Sequence, residues 1–374
     1  MKIAIDCADL DYKRIDGTRI YLKNLLDRFG ALNKKDAFVL YHKKNFNPSL
    51  EPHFYPNYQE KKVNYPFWWT QTGFGFELRW DKPDVCWMPI QQVPFLAPRE
   101  TKIIVTVHDL AFKIFPESFP FLDKRKLDFF TETAVKRAQK VIAVSHATKK
   151  DILKYYPKTP EKKVEVVHHG VCQEEFAKET NHTRKKQILE KYGLKEKRFL
   201  LYTGAIQPRK NIETLIEAFE IIKKRSSCQD LKLVLVGQEA WKPERTLRKI
   251  NSSKQAQDII KTGGVYFEVL KILYETAGVF ALPSLYEGFG LPILEAFASG
   301  VPVVAAKNSS LEEISKNGAL LFPATDKKKL ANNILQIMEN EQTRNLLVKN
   351  AQKIADEYSW EKCAKKTLNI ISNL

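Results

Sequence analysis

Two glutamates with seven residues between them, Glu287 and Glu295, bracket the run Ser284-Leu285-Tyr286-Glu287-Gly288-Phe289-Gly290-Leu291-Pro292-Ile293-Leu294-Glu295. An ionised carboxylate only accepts hydrogen bonds, which suits it to holding hydroxyl groups. The apolar stretch Val279-Phe280-Ala281-Leu282-Pro283 ahead of the pair reads as a buried strand. Gly288 and Gly290 allow backbone to approach a ligand closely, and Pro292 suits the first turn of a helix that should stop near Gly300-Val301-Pro302. The amides of Gly288, Phe289, Gly290 and Leu291 at that helix start can bind phosphate or sugar oxygens. One acid before the helix and one about a turn inside it would face a polar ligand from different angles. The plain structural alternative is a helix start whose acids complement the dipole.

A second cluster shifts the balance toward a ligand. Leu200-Leu201-Tyr202-Thr203 reads as a strand, followed by Gly204-Ala205-Ile206-Gln207-Pro208-Arg209-Lys210-Asn211 and an amphipathic helix. Arg209 offers bidentate contacts and Lys210 a point charge, so the pair at a strand's carboxyl end is placed to neutralise a diphosphate. Such chemistry belongs to group transfer from a nucleotide diphosphate, where charge grows on the distal phosphate and cations and amides must meet it.

These residues, in this order and spacing, resemble the retaining glycosyltransferases of family 4. Glu287 and Glu295 match the family's E-x7-E signature, and Arg209-Lys210-Asn211 its R-K-N phosphate site. Ser145-His146-Ala147-Thr148 and Tyr358-Ser359-Trp360 are further landmarks, so the resemblance covers nearly the whole chain. It implies a GT-B fold, an α/β architecture of two doubly wound Rossmann-like domains facing a central cleft. It also implies that Glu287 holds donor-sugar hydroxyls, that Glu295 accepts from ribose hydroxyls, and that Arg209 and Lys210 serve the diphosphate.

By the same resemblance His108, in Val107-His108-Asp109-Leu110 directly after a strand, reaches the donor sugar, and Gly17-Thr18 approach the diphosphate through their backbone. Val265, in Thr262-Gly263-Gly264-Val265, becomes a backbone contact to the base. The loop Lys13-Arg14-Ile15-Asp16-Gly17-Thr18-Arg19 departs from the family form, which carries more than one glycine. Its Arg14 or Arg19 could add phosphate contacts. Asp9-Leu10-Asp11 matches a D-x-D pattern that can bind a metal with a diphosphate, but Arg209 and Lys210 already supply cationic charge, so no metal and no cofactor are expected.

The elements that must position these residues alternate. Apolar runs at Ile3-Ala4-Ile5, Phe38-Val39-Leu40, residues 103–107, 141–144 and 164–167 are separated by helical stretches, and the scheme repeats at 199–202, 231–236, 279–282 and 303–305. Parallel sheets covered by helices follow. The first domain is expected over residues 1–180, the second over 195–358, with the polar segment from Cys172 to Lys197 between them. In the resembled fold a last helix, here about 359–374 with its Cys363-Ala364-Leu368-Ile371 pattern, returns to the first domain. Residues 42–98 are dense in aromatics, for which stacking on sugars or a membrane interface are the functional readings. The preferred reading is burial, in a core helix around Phe67 to Trp80 and its packed flanks.

Composition narrows the partners. The 374 residues suit two ordinary domains. Five scattered cysteines without a C-x-x-C pair favour reduced thiols over a disulfide framework or zinc site. The amino terminus enters a strand-like run without signal-peptide zones, and no apolar stretch approaches a membrane span, so a cytoplasmic or peripheral protein is expected. A net charge of +17 without zinc-finger or RNP patterns argues against nucleic acid and leaves two readings, an anionic membrane surface or an ordinary solvated basic surface.

The expected activity is transfer of a hexose, with mannose from GDP-mannose as the leading donor, onto a glycan or lipid-linked acceptor. The rivals are a transferase of the same fold using UDP-glucose or UDP-N-acetylglucosamine, and a catalytically silent protein that binds glycans or scaffolds a membrane complex. A sugar phosphorylase would require a pyridoxal-phosphate lysine context not identifiable here.

Overall fold

The computed structural model describes residues 1–374 and divides into two compact units. One comprises Met1–Ile114, Phe121–Gly170 and Trp360–Leu374; the other comprises Phe115–Pro120 and Val171–Ser359.

The first unit is built on seven strands, β1 (Lys2–Asp6), β2 (Ala37–His42), β3 (Tyr58–Lys62), β4 (Val85–Met88), β5 (Lys102–Val107), β6 (Lys140–Ala143) and β7 (Val164–Val166), in spatial order β3-β2-β1-β4-β5-β6-β7. Every neighbouring pair is parallel. Parallel pairing requires a crossover between strands, and helices such as Gly17–Leu32 supply it. The order reverses between β1 and β4, which opens a crevice at their carboxyl ends. The last helix, Trp360–Ser372, packs in this unit against Gly17–Leu32 and buries Trp360, Cys363, Ala364, Leu368 and Ile371.

The second unit holds β8 (Phe199–Thr203), β9 (Lys232–Val236), β10 (Ile259–Gly263), β11 (Val279–Leu282), β12 (Val303–Ala306) and β13 (Ala319–Phe322), in order β10-β9-β8-β11-β12-β13 and again all parallel. Its reversal falls between β8 and β11, both buried at every position. The loops carrying Arg209 and Glu287 leave the carboxyl ends of these two central strands. The polar segment after Cys172 folds as helices Gln173–Ala177 and His182–Lys191 within this unit. Phe176 meets Phe267 and Tyr274 edge-on, and Lys185 pairs with Glu275 at 2.5 Å.

The aromatic stretch does not follow the burial expectation throughout. Its helix is shorter, Gly73–Asp81, and contains a buried Phe74. Trp69 and Trp87 are buried as well, whereas Phe67, Trp68, Phe76 and Trp80 are exposed. Pro66 and the positive φ of Trp68 keep the preceding residues from joining the helix. All five cysteines are free thiols, and no helix is long and apolar enough to cross a membrane.

Candidate functional site

At the reversal point of the second sheet, two loops are tied together by hydrogen bonds before any ligand is considered. The loop after β8 ends in a 3-10 turn, Pro208–Lys210, and Asn211 adopts a left-handed conformation at φ 55°. Asparagine tolerates that region better than most residues. Its amide nitrogen donates to the carbonyls of Pro283 at 3.0 Å and Ala324 at 2.7 Å, while its oxygen accepts from the Thr214 hydroxyl at 2.8 Å. Asn211 therefore fastens the loop to its neighbours, and the cationic work falls to Arg209 and Lys210. The Leu285 amide completes the link by donating to the Arg209 carbonyl at 2.8 Å.

Both cations converge on one carboxylate. The Lys210 ammonium lies 2.5 Å from Glu287 Oε1 and the Arg209 guanidinium 3.2 Å from Oε2, with Arg209 also donating to the Tyr286 carbonyl at 2.9 Å. Ser284 donates to Glu287 Oε1 at 2.7 Å. Burial alone would raise the Glu287 carboxyl, but the charges of Lys210 and Arg209 overcome it and hold the group at about 2. Glu287 is therefore ionised throughout the physiological range. The Asn308-Ser309-Ser310 trio after β12 braces the same loop: Asn308 donates to the Ser284 carbonyl, Ser309 accepts from the Glu287 amide and Ser310 donates to the Glu287 carbonyl. Sequence reasoning passed over these three; a polar trio at a strand's carboxyl end was the signal that could have found them.

The helix after this loop runs Leu291–Ala298, with Gly290 at φ 110° forming its N-cap. A side chain at Gly290 would be strained there and would come within 3.0 Å of Leu311. Phe289 is buried against the ring of Tyr358, so among residues 288–291 it offers a ligand its backbone rather than its side chain. Glu295 lies one turn inside the helix in a different environment. Burial pushes its carboxyl up to about 7, and the only opposing influence is the Tyr274 hydroxyl, which donates to Oε2 at 2.9 Å. Tyr274 is in turn bonded to the Thr203 hydroxyl at 2.7 Å, so the end of β8 orients the second glutamate through a tyrosine that the sequence reading missed. Val265 lies half-exposed just after β10, two strands away from β8, and leads into the helix Phe267–Thr276 that carries Tyr274.

The raised Glu295 carboxyl has a consequence for stability. Because the folded state holds this proton more tightly than the unfolded chain, the group favours folding below the ordinary glutamate range and loses that advantage as pH rises from 4.5 to about 7. The accumulated penalty above pH 7 is roughly 3 kcal/mol. Glu295→Gln is expected to be more stable than the wild-type protein at pH 8 by about 1–3 kcal/mol and to differ little at pH 4. Urea unfolding at both pH values checks this; an identical difference at the two would contradict it.

In the first unit, His108 sits at the carboxyl end of β5, half-buried, with Nε2 donating to the Pro89 carbonyl at 2.8 Å. Burial lowers its pKa, so the ring is neutral near pH 7, with Nε2–H as donor and Nδ1 as acceptor. Tyr21 meets it edge-on at 5.1 Å and belongs to the helix Gly17–Leu32, which joins the His108 and Gly17 positions. Gly17 and Thr18 open that helix, and Asp16 caps it by accepting from the Arg19 amide. Arg19 is bound to Asp16 and to the Asp9 carbonyl at 2.9 Å, and Arg14 lies 3.4 Å from Asp16. Both arginines of the loop are thus paired with Asp16. Asp9 pairs with Arg19 at 3.6 Å, while Asp11 accepts from the amides of Lys43 and Lys44, so each acid of the D-x-D triplet has a structural partner.

Two doubly wound α/β units, one carrying a dication and carboxylate cluster at its reversal point, define a GT-B glycosyltransferase architecture. HepE of Anabaena in complex with UDP-glucose shares this fold with a TM-score of 0.78 over 100% of both chains at 18% identity. Residues 15–175 match the family model described as Glycosyltransferase Family 4, and residues 184–354 match Glycosyl transferases group 1. The chain belongs to the family 4 glycosyltransferases. It is 28% identical over 275 residues to the O-antigen chain mannosyltransferase B of Escherichia coli, covering 74% of this chain and 71% of that one. It is 30% identical over 226 residues to the O-antigen chain mannosyltransferase RfbU of Salmonella typhimurium, covering 60% of this chain and 57% of that protein. The other landmarks have structural roles: Ser145 caps the helix His146–Tyr155 through the Thr148 amide, and the Tyr358 carbonyl accepts from Val171.

Proposed function

We propose that this glycosyltransferase moves mannose from GDP-mannose to a glycan or lipid-linked acceptor, with retention at the anomeric carbon and without a metal. The observation that carries the reading is the convergence of Arg209 and Lys210 on one buried carboxylate at the reversal point of the second sheet. A cation pair held there meets an incoming diphosphate already oriented, so no reorganisation is needed as charge grows on the leaving phosphate. Amides of Gly288 to Leu291 add dipoles on the same loop. Glu287 accepts from donor-sugar hydroxyls, Glu295 from the ribose, and neutral His108 offers Nδ1 to the sugar.

In the step itself the bond between C1 and the β-phosphate oxygen breaks and a bond from C1 to the acceptor oxygen forms on the same face. The acceptor's proton passes to the departing phosphate oxygen, which requires no enzymic nucleophile. Mannose is favoured by the two O-antigen mannosyltransferases to which the chain is similar. A second reading, a UDP-sugar donor, rests on the shared fold of a protein crystallised with UDP-glucose. Intact Arg209, Lys210, Glu287 and Glu295 speak against a silent scaffold.

Calorimetric titration of GDP and UDP in excess EDTA separates these readings. GDP is expected to bind at least about tenfold more tightly than UDP, a difference of about 1.4 kcal/mol. The reverse order would transfer the assignment to a UDP-sugar, and binding of neither nucleotide until magnesium or manganese is added would remove the metal-free reading.

A further inference from the structure

Just beyond β7, His169 is buried in the first unit, outside the groups assigned to the donor. Its ring stacks on Tyr21, with centroids 4.7 Å apart and planes at 29°, and meets Trp360 at 5.7 Å and 31°. Tyr21 and Trp360 also meet each other at 6.3 Å, so the three rings lock together. His108 lies 5.5 Å from His169 and takes the edge-on contact from Tyr21 at 84°. We propose that His169 is a positioning residue for transfer: its ring seats Tyr21, and Tyr21 in turn fixes the plane of His108 so that Nδ1 is presented to the donor sugar. This rests on the role given to His108 above and adds the residues on which that role depends.

A single hydrogen bond leaves an imidazole free to tilt about it. The bond from His108 Nε2 to the Pro89 carbonyl selects which nitrogen carries the proton, but the tilt is set by whatever touches the ring, and Tyr21 and His169 both do. Aromatic rings prefer stacked or edge-to-face contacts with centroids roughly 4.5–7 Å apart, and every contact of this cluster falls in that range. Tyr21 is anchored at its far end as well. Its hydroxyl lies 3.2 Å from that of Thr106, on the strand that leads into His108, and Trp87 Nε1 donates to the same Thr106 oxygen at 3.2 Å. With Tyr21 held at both ends, a change at the ring of His169 is passed to His108 instead of being absorbed by slack.

The same packed wall keeps His108 uncharged. Burial lowers its pKa, while the Pro89 bond and the charges of Asp109 and Asp16 pull the other way. His169 is lowered too, by burial first and then by His108 and His168. Opening the wall at His169 would admit water, release His108 toward the ordinary histidine range and, on protonation, turn Nδ1 from an acceptor into a donor.

Kinetics and side-chain NMR of His169 variants test this. His169→Ala is expected to lower turnover at saturating donor about tenfold, to leave nucleoside diphosphate affinity unchanged, and to move the acid limb of turnover to higher pH. His169→Phe, which keeps a flat ring against Tyr21, should return turnover to within about threefold of wild type and restore the acid limb. Nitrogen-15 shifts of the His108 ring should show the Nε2–H tautomer and a lowered pKa in the wild-type and His169→Phe proteins, and mixed tautomers with a pKa nearer the ordinary value in His169→Ala. Urea unfolding of each variant separates these effects from loss of fold; should His169→Ala not fold, His169→Asn removes the ring more mildly and carries the same expectation. Wild-type turnover and an unmoved acid limb without the ring, or a loss that His169→Phe does not restore, would overturn the inference. Wild-type turnover in His108→Ala would instead overturn the role of His108 on which it rests, whereas turnover lost in His108→Ala but kept in His169→Ala would overturn the inference alone.

Discussion

Lys210→Met is expected to lower turnover at saturating donor by about 100-fold, the usual scale for removing one preorganised donor from a site of developing negative charge. Arg209→Ala should fall in the same range, at least about tenfold. The structure adds a complication that the motif alone does not reveal. Lys210 is buried and bound to Glu287, so its removal also leaves a buried carboxylate with less compensation and should destabilise the fold by about 3 kcal/mol. The two effects can be told apart in the double variant Lys210→Met with Glu287→Gln, which should regain most of the stability and none of the turnover. Wild-type turnover in either single variant would remove Arg209 and Lys210 from the chemistry.

Glu287→Gln is expected to be nearly as damaging to transfer, again about 100-fold, while nucleoside diphosphate affinity is kept or rises, because removing the carboxylate takes away the negative charge that offsets Arg209 and Lys210 in place. Glu295→Ala should do the opposite and weaken the nucleotide itself. The Glu287 variant should also lose stability. A carboxyl held at about 2 contributes stability that is fully present above the ordinary glutamate range and disappears as pH falls from 4.5 toward 2, on the order of 3 kcal/mol near neutrality. Nucleotide titration and urea unfolding of both variants test the division of labour, which equal losses of nucleotide affinity in the two would contradict.

Much of the scaffold was legible because buried parallel strands are written as short apolar runs. Runs such as Leu231–Val236 and Val279–Leu282 coincide with central strands β9 and β11. Four strands were not read. Tyr58–Lys62, with sequence YQEKK, is a mostly exposed edge strand, so it has no apolar run to betray it. Val85–Met88 is central and fully buried, but its four residues sit between Pro83 and Pro89 in an aromatic stretch whose density suggested helix and loop. Ile259–Gly263 and Ala319–Phe322 are edge strands with mixed burial.

At the site, the residues with distinctive spacing were visible, and their partners were not. Nothing in the spacing of Glu287 says that Ser284, Ser309 and Ser310 close around its loop, or that Tyr274 reaches Glu295 from another helix. Those contacts depend on which strands become neighbours, and they separate two chemically identical acids to about 2 and about 7. The exposure of Trp68 was equally hidden, since an aromatic in an aromatic-rich segment is most often buried.

The most direct test of transfer through a cationic, metal-free site is the anomeric configuration of the product formed from GDP-mannose in excess EDTA, read by NMR before any rearrangement. The account predicts continued turnover and an α-mannoside, the configuration of the donor. A β-mannoside, or turnover that vanishes with chelator and returns with magnesium or manganese, would contradict it.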